Sequence, residues 1–122
     1  MGIGNRPRRT PRDLRESVFT AAVIELAQIL GWRVAHFRPS RTVHGWRTAV
    51  QGDGAGFPDL IMVRDRVVIA ELKTDARSSQ PSEAQTIWLE RFTAAGVEAY
   101  LWRPRDLEKI AAVLTSKGIE EK

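Results

Sequence analysis

The sequence contains no cysteine, only two histidines and no long apolar run. The lack of cysteine excludes a disulfide scaffold, a thiolate zinc site and a cysteine nucleophile. No apolar stretch approaches the roughly 20 residues that a membrane span needs, and the first residues lack the apolar segment of a secretory signal. The sequence therefore predicts a cytoplasmic protein with no membrane partner.

Acidic residues are scarce in two stretches, although the chain as a whole is only moderately basic, at +4. Residues 1–15 hold five arginines and one aspartate, so their net charge of +4 equals that of the whole chain. Residues 26–52 hold four arginines and no acidic residue. Such clusters attract polyanions, but a solvated surface explains either cluster alone about equally well. The candidate DNA-binding residues are Arg6, Arg8, Arg9, Arg12, Arg38, Arg41 and Arg47.

The 122 residues, 43% of them hydrophobic, are enough for one domain with a two-layer core. The predicted boundaries are a flexible basic arm over residues 1–12, a single domain over 13–118 and a tail over 119–122.

Hydrophobic periodicity and breaker residues predict the order α-β-loop-β-β-α-β-α. The first helix should begin after an N-cap at Asp13 and stop at Gly31, and the last should open at Pro104. Because a helix connects the last two strands, we expect an α/β fold with a mixed four-stranded sheet flanked by helices. The predicted ranges are helices over 13–30, 82–95 and 104–117, strands over 32–38, 59–63, 66–73 and 97–102, and a long loop over 39–56.

Charged residues lie on hairpin strands that otherwise look buried. Glu71 and Lys73 share one face at the end of the second strand, and Asp59 begins its antiparallel neighbour, so the two carboxylates can approach each other. Glu16 lies on the apolar face of the first helix and can join them, whereas Glu25 lies on the polar stripe. Converging carboxylates repel unless a cation separates them. Oxygen ligands without cysteine favour Mg²⁺ or Mn²⁺ over zinc.

A second interpretation of the same residues needs no metal. Glu71 and Lys73 would form a solvent-facing ion pair on an edge strand, and Asp59 would be a turn residue after Pro58. The spacing alone favours this interpretation, because surface ion pairs are common and contribute little.

The motif "FPD", followed after a strand-length gap by "ELK", resembles the PD-(D/E)xK nuclease signature, with Asp59, Glu71 and Lys73 at its named positions. The strings "GFPDLIMV", "VVIAELKT" and "PSEAQTIWLERFTAAGVEAYLWRP" are similar to the VRR-NUC family in its short, stand-alone virus-type form. This resemblance covers about residues 14–107. It implies a restriction-endonuclease-like core in the order α-β-β-β-α-β with a C-terminal helix.

The resemblance implies a Mg²⁺- or Mn²⁺-dependent endonuclease that hydrolyses phosphodiester bonds in DNA. Asp59, Glu71 and the main-chain carbonyl of Leu72 would bind the metal, with Glu16 as an outer ligand or the ligand of a second ion. Lys73 would orient the attacking water or stabilise developing charge. Gln85 matches a family glutamine that touches the site, although its spacing from Ser82 also fits a helix capping box.

The short members of the family imply a homodimer acting on branched DNA, including four-way junctions, during repair or recombination in a bacterium or a phage-infected host cell. Two alternatives stay open from the sequence. One is a nucleic-acid-binding module without catalysis, and the other is a restriction-type endonuclease that reads a short sequence.

Overall fold

The computed structural model describes residues 11–37, 40–42, 45–47 and 51–118, with side chains for 15–37 and 51–118. The predicted tail, and the predicted arm up to residue 10, lie outside the described residues. The helices are α1 (Pro11–Ile29), α2 (Glu83–Ala94) and α3 (Leu107–Thr115), and the strands are β1 (Arg33–His36), β2 (Ser40–Thr42), β3 (Gly45–Arg47), β4 (Leu60–Val63), β5 (Val67–Leu72) and β6 (Glu98–Trp102).

The central element is a four-stranded sheet in the order β1-β4-β5-β6. The pairs β1–β4 and β4–β5 are antiparallel, whereas β5 and β6 are parallel, because α2 carries the chain back to the same end of the sheet. The predicted α/β class, with a mixed four-stranded sheet and flanking helices, is confirmed.

The core lies between one face of this sheet and two helices. From α1 come Phe19, Val23 and Ala27, and from α3 come Ile110 and Leu114, all buried. They meet sheet residues that alternate toward the same face, and α2 lies against β5 and β6. The sheet side of the core is formed by Leu60, Met62, Val68, Ala70 and Trp102.

Helix α1 begins two residues earlier than predicted, so the proposed N-cap at Asp13 is wrong. Its first residue is Pro11, whose fixed φ and missing N–H suit the first helical position. The predicted stop at Gly31 is confirmed: φ is +92°, and the N–H of Trp32 donates to the carbonyl of Ala27 at 2.9 Å. None of the helices in the described part of the chain has the length and apolar character needed to cross a bilayer.

The predicted loop over residues 39–56 contains structure that the sequence pattern did not reveal. Strands β2 and β3 pair antiparallel in a separate two-stranded ribbon, with Arg41 opposite Trp46. Three-residue strands are too short to show a hydrophobic alternation, which explains the omission. The last predicted helix also differs, because residues Pro104–Asp106 form a 3₁₀ turn before α3 and the helix ends at Thr115.

Candidate active site

A cleft of about 330 Å³ lies at the end of the sheet, where α1, α2 and the loop after β5 meet. All six residues predicted to form the catalytic and metal site line this one cleft. The lining consists of Glu16, Phe19, Thr20, His36, Phe37, Asp59, Glu71, Leu72, Lys73, Ser78, Ser79, Gln80 and Gln85.

The strand register brings Asp59 to Glu71. Leu60 pairs with Ala70, so the next position along the ladder sets Asp59 opposite Glu71. Asp59 is held from two sides, since Oδ2 accepts from the Leu72 N–H at 2.8 Å and its carbonyl oxygen accepts from the Phe37 N–H at 2.8 Å. The first bond ties the Asp59 carboxylate to β5, and the second ties the Asp59 main chain to the residue that follows β1.

Glu71 is only 2% exposed, on an interior strand of the sheet. Its Oε2 accepts from Gln85 Nε2 at 2.8 Å and lies 3.6 Å from Lys73 Nζ. Its Oε1 is buried and has no hydrogen-bond partner among the described residues. The interpretation as a solvent-facing pair on an edge strand is therefore wrong, while the predicted proximity of Glu71 and Lys73 is confirmed.

Burial disfavours negative charge on both carboxylates. It raises the pKa of Glu71 to about 8, with the charge of Asp59 acting in the same direction and Lys73 opposing. Burial also raises the pKa of Asp59, against the hydrogen bond from Leu72 and the charges of His36 and Lys73. Two carboxyl groups that resist ionisation, one of them with a buried oxygen that has no hydrogen-bond partner in the described part of the chain, fit the need of a divalent cation for oxygen ligands.

Gln85 performs both of the roles that the sequence left open. Its side-chain Oε1 accepts from the Ser82 main-chain N–H at 2.8 Å. The main-chain N–H of Gln85 donates to Ser82 Oγ at 3.2 Å, which completes the capping box of α2. Because the cap uses the amide oxygen, the amide NH₂ is directed to Glu71. The start of α2 thus orients the buried carboxylate.

Glu16 belongs to the cleft but not to its buried centre. It lies on the same face of α1 as the buried Phe19 and Val23, as predicted, yet its side chain is exposed. Among the described residues, no three acidic or histidine side chains are close enough to form a metal-ligand group. Asp59 and Glu71 are thus the central pair of the cleft, and Glu16 lies at its rim. Glu25, which the sequence places on the polar stripe of α1, is exposed and lies outside the cleft.

One wall of the cleft was not predicted. No role was predicted for residues 74–81, between the predicted strand and helix, but Ser78, Ser79 and Gln80 line the cleft. Sequence position could have indicated this wall, because a short loop that directly follows Lys73 must pass close to the Lys73 side chain. His36, at the end of β1, also lines the cleft.

Trp88 packs α2 against the loop that precedes β4. It is half-buried, and its Nε1 donates to the carbonyl oxygens of Asp53 and Ala55 at 3.0 and 3.2 Å. Its ring meets Phe57 edge-on, at 5.0 Å between centroids. Trp88 thus fastens α2 to the loop that leads into Asp59.

The side chains of the seven candidate DNA-binding arginines lie outside the described part of the structure. Arg41 and Arg47 lie on β2 and β3, and Arg12 lies in the first turn of α1, but only their backbone is described. The remaining candidates, Arg6, Arg8, Arg9 and Arg38, lie outside the described residues.

The sequence matches no model of a known protein family and no curated protein.

Proposed function

We propose that this chain is a Mg²⁺- or Mn²⁺-dependent nuclease that hydrolyses phosphodiester bonds in DNA. The observation that carries the proposal is the buried carboxylate of Glu71, opposite Asp59 and beside Lys73, with an Oε1 that no described residue contacts by a hydrogen bond. A carboxylate pair of this kind, next to an ammonium group in an open cleft, is poorly explained by stability alone. We further propose that the four-stranded sheet with α1 and α2 is a restriction-endonuclease-like core of the VRR-NUC type.

Asp59, Glu71 and the main-chain carbonyl of Leu72 would hold the metal, with Glu16 as an outer ligand or the ligand of a second ion. When bound, the cation polarises the phosphate and lowers the pKa of coordinated water. The contacts from Leu72 to Asp59 and from Gln85 to Glu71 keep the two carboxylates oriented.

Lys73 is the group in this cleft suited to act on the reacting phosphate. Its ammonium can orient the attacking water or stabilise the negative charge that grows during attack. The positive charge of residues 1–15 supports DNA as the polyanion. We propose branched DNA, including four-way junctions, as the substrate class, and a homodimer as the active form.

Nicking of supercoiled plasmid in the presence and absence of Mg²⁺ or Mn²⁺ tests the proposal. Asp59→Asn and Glu71→Gln should each reduce cleavage at least about a hundredfold, since even outer-shell changes at metal sites cost about 10 to 100-fold. DNA binding should be retained or become tighter, because each change removes a negative charge near the phosphate. Glu25→Gln is the matched control on the exposed face of α1 and should cleave like the wild type.

A panel of single-stranded, duplex, flap and four-way-junction substrates identifies the preferred DNA structure. Binding without cleavage in Mn²⁺ would contradict the nuclease and support the non-catalytic binding module. Cutting of linear duplex at one short sequence would instead support the restriction-type alternative.

A further inference from the structure

Four polar residues are buried in the described part of the chain, and two of their side chains, those of Ser79 and Arg103, bind the main chain of a third, Thr74, beside the cleft. Glu71 is the fourth, and Thr74, Ser79 and Arg103 have exposures of 6%, 5% and 7%. The Thr74 N–H donates to Ser79 Oγ at 3.1 Å, and the Thr74 carbonyl oxygen accepts from Arg103 Nη1 at 2.5 Å. Because buried polar groups need partners, the three residues depend on one another.

The network of Thr74, Ser79 and Arg103 begins one residue beyond Lys73. Strand β5 ends at Leu72, but the Lys73 N–H donates to the carbonyl oxygen of Trp102 at 3.0 Å and extends the parallel ladder by one step. Thr74 and Arg103 are the next residues on the two sides of this step. The bond between them therefore closes the end of the ladder and fixes the main chain from which the Lys73 side chain extends.

The same network shapes one wall of the cleft. The Ser79 N–H donates to the Ala76 carbonyl oxygen at 2.9 Å, which closes the loop that begins at Thr74. Ser78, Ser79 and Gln80 all line the cleft, so the position of this wall depends on the bond from Ser79 to Thr74.

The guanidinium at position 103 is buried, and the contact that the described residues give it is with the main chain of Thr74. Within the described residues, Arg103 forms no ion pair, and its Nη1 donates to the Thr74 carbonyl oxygen. Burial of a cation is unfavourable unless hydrogen bonds compensate it, so the bond to Thr74 links the position of the Arg103 side chain to that of the Thr74 main chain.

We propose that Arg103 is a positioning residue for Lys73 and acts through the carbonyl of Thr74. The inference rests on the proposed nuclease function, in which the Lys73 ammonium, 3.6 Å from Glu71, faces the reacting phosphate. Loss of the Arg103 contact releases Thr74 and allows Lys73 to shift. A displacement of about 1 Å in a catalytic group can reduce a rate by about a hundredfold.

Single-turnover cleavage by Arg103→Ala, Arg103→Lys and the control Arg105→Ala tests this role. Arg103→Ala should lower the rate at saturating DNA about 10 to 100-fold, with the half-saturating DNA concentration changed less than about threefold. Arg103→Lys keeps one donor for Thr74 and should recover part of the rate, whereas the exposed Arg105 should be replaceable without effect. A loss confined to DNA affinity would overturn the proposal.

The same change in a Lys73→Ala background separates positioning from general support of the fold. If Arg103 acts through Lys73, Arg103→Ala should cost little further rate once Lys73 is removed, because the two effects are not additive. An equal fold-loss in both backgrounds would overturn the proposal. Ser79→Ala removes only the hydroxyl that accepts from the Thr74 N–H. It serves as the second variant if Arg103→Ala does not fold.

Amide hydrogen exchange gives a readout that needs no activity. In Arg103→Ala, the amides of Lys73 and Thr74 should exchange at least about tenfold faster, while those of Val68 and Ala70 in the same strand should not change. Unchanged exchange at Thr74 would show that Arg103 does not hold the Thr74 main chain and would overturn the proposal. If the wild-type protein cuts no DNA with any divalent cation, the proposed nuclease function fails, and this exchange measurement still decides whether Arg103 holds Thr74.

Discussion

Glu71 is the residue at which stability and the proposed chemistry conflict. Its side chain is almost fully buried, and burial raises its pKa to about 8 from an ordinary value of 4.5. Between these two values the unfolded chain has released the proton, whereas the folded chain still holds it. The free energy of unfolding must therefore fall as the pH rises through this window, by at most about 1.4 kcal/mol per pH unit from this group.

We expect Glu71→Gln to remove this loss of stability. Glutamine resembles the protonated glutamate and does not ionise, so the variant should match the wild type near pH 5 and exceed it at pH 8, without added metal. Thermal or urea unfolding at pH 5, 6, 7 and 8 measures the difference. The same pH dependence in both proteins would show that Glu71 ionises normally in the folded state.

Mg²⁺ supplies a second measurement on the same residue. A divalent cation that binds the ionised pair should raise the melting temperature of the wild type at pH 8 more than at pH 5, because protons compete for the same oxygens. Glu71→Gln should respond weakly at both pH values. An equal rise in both proteins would place the bound ion elsewhere.

Gln85 joins the helix cap and the site in one side chain, and two substitutions separate these roles. Gln85→Glu keeps an acceptor for the Ser82 N–H but loses the donor to Glu71, so cleavage should fall about 10 to 100-fold with the cap retained. Ser82→Ala removes the hydroxyl cap and should cost about 1 kcal/mol of stability, with cleavage almost unchanged. Wild-type cleavage by Gln85→Glu would contradict any role for its contact with Glu71.

At the scale of elements, the approach of the 51–57 loop to α2 positions the start of β4. Gly56 has φ +79°, and a Cβ there would lie 2.7 Å from backbone atoms of Ala84 and Gln85. This close packing, together with the two hydrogen bonds from Trp88, holds the loop against the helix that also orients Glu71.

Gly56→Ala should therefore destabilise the fold much more than Gly52→Ala. Both glycines have positive φ, which costs an alanine about 1–2 kcal/mol, but a Cβ at Gly52 has nothing within 4 Å. The clash at Gly56 should add about 1–3 kcal/mol, and it should also weaken cleavage because it displaces α2. Urea unfolding of the two variants measures the contrast, and equal losses would show that the packing of Gly56 against α2 is unimportant.

The elements that the sequence predicted correctly have strong local signals. The hairpin of β4 and β5 shows β-branched runs around a charged turn, and Gly31 stops α1. The contacts of that turn could not be predicted, since they join residues far apart in the chain. Arg64 Nη1 donates to the carbonyl oxygens of Leu30 and Leu114 at 3.1 and 2.9 Å, and Arg66 Nη1 donates to that of Ser116 at 2.7 Å. The turn thus caps the C-terminal ends of α1 and α3.

The candidate site shows the same division. Residue type and strand alternation were enough to predict that Asp59, Glu71 and Lys73 approach one another. The depth of Glu71 was not predicted, because the same alternation also fits an exposed pair and burial depends on the position of β5 inside the sheet. The position of the loop after Lys73 was also not predicted, since the first residue of this loop, Thr74, is bound by Arg103, which is distant in the sequence.

At the scale of the whole molecule, three of the four net positive charges lie before α1, where residues 1–10 hold three arginines and no acidic residue. Because α1 begins at Pro11, the arm can be deleted only through residue 10 without shortening the helix. This deletion removes three arginines, and each phosphate contact contributes about 0.9 to the slope of log affinity against log salt concentration. DNA affinity should fall and the slope should flatten by up to three such contributions, with the rate at saturating DNA retained. An unchanged slope would show that the arm makes no contact with DNA.

The number of candidate sites per chain bears on the assembly. The described residues contain one Asp59–Glu71 pair in one cleft, and a single centre cuts one strand in each encounter. Resolution of a four-way junction or cleavage of both strands of a duplex needs two incisions, most simply from two subunits related by a twofold axis. We therefore expect a homodimer, with residues 39–56 and the C-terminal helix as the candidate contact surfaces. Light scattering across a concentration series, with and without DNA, should give twice the chain mass of 13.7 kDa wherever cleavage is observed. A monomer mass under the conditions in which both strands are cut would contradict the dimer, and two incisions would then require one cleft to act twice.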